Sequence, residues 1–141
     1  MSSVNKVEKK NLQQIARNTG VYPLEAFEFV RHGLAFAVAR IHEAQTDSPG
    51  GQQHVTGQQL CWGLRDFAIR RYGVVARAVL RHWNINRTED FGRIVFAMVE
   101  DGIMRKTPQD SIHDFDHVYD VDKVFELPER VMPPVAATFF L

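Results

Sequence analysis

Arginine is the residue type most able to do chemistry in this chain, and it comes in a block. Residues 57–87 hold Arg65, Arg70, Arg71, Arg77, Arg81 and Arg87 against Asp66 alone, a net of plus five. A guanidinium is planar and always charged, and it matches carboxylate and phosphate groups. Trp62, Tyr72 and Trp83 lie among these arginines as rings available for stacking. Residues 88–126 have the opposite sign, with ten acids against Arg93, Arg105, Lys106 and Lys123, a net of minus six. Blocks of opposite sign either face one another or sit on separate solvated faces. The functional alternative is an arginine-rich face, residues 65–87, for an acidic partner or a nucleic acid, with Arg65, Arg70, Arg77 and Arg81 as contacts.

A second constellation is His113-Asp114-Phe115-Asp116-His117, with Asp110 nearby. Histidines four apart on a helix, joined by carboxylates, are a ligand set for a metal-dependent enzyme. Against that, Pro108 reads as a helix start and Phe115 as a core anchor. The acids then satisfy backbone amides or pair with Lys106. No metal or cofactor is expected. Cys61 stands beside Leu60 and Leu64 on an amphipathic helix, where a buried thiol is ordinary, and no base stands at a useful spacing. His42 and His54 read as hydrogen-bonded histidines near a loop. The chain has no glycine-rich phosphate loop, no serine-centred elbow and no paired-cysteine motif.

Composition narrows the remaining classes. A length of 141 residues fits one domain, and 45% hydrophobic content argues against disorder of the whole. A formal net charge of zero opposes a protein built mainly to hold nucleic acid. One cysteine excludes an internal disulfide framework. The first ten residues lack an apolar stretch, and the run from Gly33 to Ala39 ends at Arg40, so neither a signal peptide nor a membrane span is expected. The expected location is cytoplasmic.

The elements that must position these residues are helices. Leu12, Ile15 and Ala16 define an inward face over residues 4–18, ended by Gly20. Pro23 opens a longer helix whose core face is Phe27, Val30, Leu34, Val38 and Ile41. Residues 46–53 read as a loop. Thr56 and Gln59 form a capping box for a helix with Leu60, Leu64, Phe67 and Ala68 inward, and Gly73 ends it. Val75, Val79, Leu80 and Trp83 share a face of the next helix, and residues 84–87 turn. Thr88 is then expected to cap a helix with Phe91, Ile94, Val95, Met98 and Val99 inward and Gly102 as its stop. Gly33, Gly63 and Gly92 fall inside helices at about 1 kcal/mol each relative to alanine. They predict close approach of neighbouring backbones or rings; the alternative is a ligand lying on exposed backbone.

Beyond Gly102, residues 103–106 read as a short strand, and Thr107-Pro108 starts a helical turn running to about His113. Val118-Tyr119 is a second strand able to pair back with the first, and Asp120 caps a last turn through Phe125. The expectation is a mainly α domain of about five helices over residues 1–126, with a short C-terminal β-ribbon, an order also found in winged-helix domains. In that arrangement the reading helix, residues 88–101, would carry Glu89, Asp90, Glu100 and Asp101 against Arg93, and phosphates repel such a surface. Residues 127–141 hold three prolines and finish Thr138-Phe139-Phe140-Leu141, an apolar tail suited to docking on its own domain or on a second copy.

Several motifs occur together: His54-Val55-Thr56-Gly57-Gln58-Gln59-Leu60, Gly63-Leu64-Arg65, Tyr72-Gly73, Trp83, residues Asp90 to Phe96, Lys106-Thr107, Asp110-Ser111 and Asp114-Phe115. In this order they resemble a small family of unassigned activity from Planctomycetes and Verrucomicrobia, over roughly residues 10 to 126. The resemblance implies a single bacterial domain and adds no catalytic residue or cofactor. Its polar members, His54, Arg65, Asp90, Lys106, Asp110 and Asp114, are the candidates for any site assembled by folding, and capping or buried ion pairing is the plainer role for each. The function expected is a non-enzymatic protein-interaction module, paired through its tail or bound to a partner protein.

Overall fold

The computed structural model describes residues 2–3, 8–44 and 54–126. These form one mainly helical domain in the order β1 (Ser2–Ser3), α1 (Glu8–Thr19), α2 (Leu24–Ala44), α3 (Gly57–Tyr72), α4 (Ala76–His82), α5 (Thr88–Glu100), β2 (Met104–Arg105) and the single turn α6 (Val121–Val124). Two 3₁₀ turns, Gly73–Val75 and Ile112–Phe115, complete it. The five helices fall where hydrophobic spacing put them. Residues 46–53, and the tail from 127 onward, lie outside the described residues.

The longest helix, α2, is the centrepiece and packs against α1, α3 and α5. Phe27, Val30 and Leu34 are buried along it, facing Leu60 and Leu64 of α3 and Phe91, Ile94 and Met98 of α5 in one continuous core. Helices α2 and α3 approach closely because small residues meet side chains reciprocally. A β-carbon at Gly33 would overlap the Leu64 side chain, and one at Gly63 would lie 2.6 Å from that of Ala37. Phe115 wedges between two further glycines: β-carbons at Gly57 and Gly92 would come within 3.0 Å and 2.9 Å of its atoms. The helical glycines are therefore packing sites.

Chain reversals follow local rules. The N–H groups of Gly102 and Ile103 bond back to Val99 and Met98, with Gly102 at φ 81°. This is a Schellman closure of α5. The same pattern closes α4, where Asn84 at φ 67° takes the glycine position and Ile85 N–H reaches Leu80. Asn84 Nδ2 also donates to the Val21 carbonyl at 2.8 Å, which fixes the α4 exit against the α1–α2 corner.

Three expectations are corrected. The ribbon does not form between residues 103–106 and Val118-Tyr119; instead β2 pairs antiparallel with β1, Ser2 opposite Arg105 and Ser3 opposite Met104. Tyr119 is turned inward, its hydroxyl donating to the Cys61 carbonyl at 2.8 Å, so its segment packs on α3. Without that hairpin, no winged-helix wing is present among the described residues. Thr88 does not cap α5. It is fully buried, donates to the Phe115 carbonyl at 2.6 Å and accepts from Val118 N–H at 3.0 Å. Val75, expected to share a helix face with Val79, Leu80 and Trp83, lies instead in the 3₁₀ turn and is 52% exposed beside Val74 at the α3–α4 corner.

Candidate functional site

Most of the polar residues singled out by sequence hold the scaffold together. Asp90 is 6% exposed and saturated: Oδ2 accepts from Asn86 N–H at 2.8 Å and Arg87 N–H at 3.1 Å, while Oδ1 accepts from the Tyr22 hydroxyl at 2.5 Å and Arg93 Nη1 at 2.7 Å. Burial, then the Asp90 carboxylate, pushes the Tyr22 phenol up to about 12. The same device recurs further on. Asp110 accepts from Thr107 N–H at 2.8 Å and Asp114 from Ser111 N–H at 3.0 Å, each reaching back three residues to close a turn. The other oxygen of Asp110 lies 3.4 Å from His54 Nε2, so His54 fastens the entry to α3 onto the 107–110 turn. Lys106 is exposed and donates to the Thr107 carbonyl at 3.3 Å.

The arginine block divides by role. Arg77, 15% exposed, donates to Asp122 at 2.6 Å, to the Ile85 carbonyl at 3.1 Å and to Asn86 at 3.1 Å. It thereby ties α4 to α6, and its hydrogen bond holds the Asp122 carboxyl below the usual carboxylate range. Arg81 approaches the same carboxylate at 3.9 Å. Here the two oppositely charged blocks do face each other.

Arg65 and Arg70 belong to a different surface, built where α2 and α3 cross. Beside the Ala37–Gly63 contact lies a groove of about 300 Å³, lined also by Arg40, Ile41, Gln59, Trp62 and Asp66. A shallower hollow of about 400 Å³ continues past Phe36, Ile69 and Arg70. Trp62 is 43% exposed at the groove, and its ring packs 4.7 Å from that of Tyr119. Asp66 binds two guanidiniums at once, Arg40 at 2.6 Å and Arg65 at 2.7 Å. The arginines also lie over rings: Arg65 over Trp62 at 5.3 Å, Arg40 and Arg70 over Phe36 at 5.4 Å and 5.7 Å, and Arg71 over Phe67 at 5.6 Å. Each such contact stabilises by about 0.5–1 kcal/mol at an exposed site and restrains the guanidinium before anything binds. Charge counting by sequence block missed Phe36 and Arg40, which α2 contributes. Their i, i+4 spacing on the outer face of that helix was the available signal.

The His113 constellation does not converge. Residues 112–115 form a 3₁₀ turn, so four-residue spacing does not place both histidines on one face, and His117 has a left-handed backbone at φ 44°. His113 pairs with Asp116 at 3.0 Å, both well exposed. Among the described residues no three His, Cys, Asp or Glu side chains gather at metal-binding distance. Cys61 is fully buried, and burial drives its thiol pKa up, away from nucleophilic thiolate. No described helix is long and apolar enough to cross a membrane. No family model, curated protein or solved structure matches the chain.

Proposed function

We propose that the chain is a non-enzymatic protein-interaction module, and that its α2/α3 groove holds an acidic, apolar-anchored segment of a partner protein. The observation that carries this reading is Trp62, a large ring 43% exposed beside an apolar groove whose rims hold Arg40, Arg65 and Arg70. Aromatic and arginine side chains at the edge of a pocket are the usual anchors of protein interfaces. The floor, Ala37, Ile41 and Gly63, suits an apolar side chain, and the guanidiniums suit carboxylates flanking it. The acids at 88–126 lie on other elements, so the groove keeps a positive rim in a chain of zero net charge. The apolar tail completes the reading by pairing two copies.

Nucleic acid fits less well. Of the six arginines in the block, Arg77 and Arg81 are engaged by Asp122 away from the groove and Arg65 shares Asp66 with Arg40, so among the described residues only Arg70, Arg71 and Arg87 meet no carboxylate. So few contacts give weak binding at physiological salt.

The test uses fluorescence anisotropy with labelled probes: a peptide alternating Glu and Phe, the same peptide with Lys for Glu, and an oligodeoxythymidine. The Glu/Phe peptide should bind, weaken with added salt, and lose about tenfold or more in affinity on Trp62→Ala, with circular dichroism unchanged. Equal binding by the Trp62→Ala protein, or no binding of that peptide, overturns the proposal. Preferential, salt-sensitive binding of the oligonucleotide replaces it with the nucleic-acid reading.

A further inference from the structure

A second cavity lies on another part of the molecule, where the first half of α2 meets the ends of α3 and α4. It measures about 190 Å³. Three rings form its wall: Phe29 to Trp83 at 5.5 Å between centroids, Tyr72 to Trp83 at 6.0 Å, and Phe29 to Tyr72 at 6.3 Å. Glu25 and Glu28, one turn apart on α2, line the cavity together with Arg71 from the last turn of α3. Among the described residues neither glutamate pairs with a cation, and Arg71 meets no carboxylate; its guanidinium lies over the Phe67 ring. The Tyr72 hydroxyl and the Trp83 indole N–H likewise make no hydrogen bond among the described residues.

Helix ends explain part of this. A carboxylate in a first turn and a guanidinium in a last turn are each favoured by the helix dipole. The dipole accounts for the signs but not for the unfilled space between opposite charges that stay apart. We infer that this cavity binds a small zwitterion of the free amino acid class, its ammonium group at Glu25 and Glu28 and its carboxylate at Arg71. The chemistry matches at each point. An ammonium group is held by carboxylates and by the faces of aromatic rings. A guanidinium takes a carboxylate through two parallel N–H donors. The side chain of the ligand lies against the Phe29, Tyr72 and Trp83 wall. The volume sets the size class, since drug-sized ligands occupy roughly 300–1,000 Å³ and this cavity is smaller. The site is separate from the α2/α3 groove, and neither depends on the other.

Trp83 supplies the readout. In the Trp62→Phe background it is the sole indole, since the chain has two tryptophans. L-leucine and L-lysine are titrated to about 10 mM, alongside N-acetyl-L-leucine, which lacks the ammonium, and L-leucinamide, which lacks the carboxylate. A saturable change in Trp83 emission is expected with at least one amino acid. Binding should weaken about tenfold or more in Glu28→Gln and in Arg71→Met, and be lost for both blocked analogues. Thermal melts establish that each variant stays folded, Arg71 being exposed and Glu28 half-buried. The inference is overturned by no saturable change with either amino acid. It is equally overturned by undiminished binding in Arg71→Met or by blocked analogues that bind as well as the free ones.

Discussion

At the scale of single residues, one aspartate carries more of the structure than its place in a motif suggests. Asp90 organises the α5 entry and receives the Tyr22 hydroxyl from across the core, so its loss leaves a phenol and two backbone amides without an acceptor. Asp90→Ala should lower unfolding free energy in urea by about 3 kcal/mol, with no change in the helical circular dichroism spectrum at low denaturant. The linked pH dependence has a definite sign. The Tyr22 phenol is raised from 10.0 to about 12 in the folded state, so the native protein holds a proton that the unfolded chain releases. Stability from this group is complete below pH 10 and falls as pH rises toward 12. Tyr22→Phe should flatten that part of the stability-versus-pH curve; an unchanged slope would show that the buried Tyr22 phenol is not its source. Tyr119 and Cys61, both raised well above their ordinary values by burial, supply the slope that remains.

At the scale of elements, small residues set how close helices come. Replacing Gly63 by alanine gains about 1 kcal/mol of helix propensity but sets a methyl 2.6 Å from the Ala37 β-carbon, on a helix that cannot swing aside. Overpacking of this kind costs about 1–3 kcal/mol, so the expected net effect in a urea titration is destabilisation. Phe115 is the complementary case: fully buried between Gly57 and Gly92, it should cost about 3–5 kcal/mol when cut to alanine. What the sequence made legible is what is local. The Thr56–Gln59 capping box, Gly102 as a stop and the buried faces of α2 and α5 rest on rules spanning four residues or fewer. Two of the three misreadings involve distant partners, while Val75 was misplaced by a local 3₁₀ turn. Thr88 looked like a cap because its hydroxyl bonds lie 27 and 30 residues away, and β2 found its partner at the opposite end of the chain. The groove was half legible: its α3 arginines stood out, while Phe36 and Arg40 joined it only once α2 was laid across α3.

For the whole molecule, charge balance has a spatial meaning that a net of zero conceals. Arg77 and Arg81 join the basic and acidic blocks through Asp122 on one side, whereas the α2/α3 side keeps its guanidiniums exposed. The proposed pairing of two copies through the apolar tail, residues 127–141, is read in solution. Size-exclusion with light scattering should give a dimer mass for the full chain and a monomer mass for a chain ending at Glu126; identical masses dispose of pairing through the tail.

The carboxylate of Asp66 already occupies the place that an incoming acid would seek, since it grips Arg40 and Arg65 together. It is a resident rival, tethered at high local concentration, and any visiting acid must win the guanidiniums from it. Removing its charge by Asp66→Asn should therefore tighten the Glu/Phe peptide while loosening α2 from α3, a variant that binds better and melts sooner. Isothermal titration beside a thermal scan would reveal that opposition at one position.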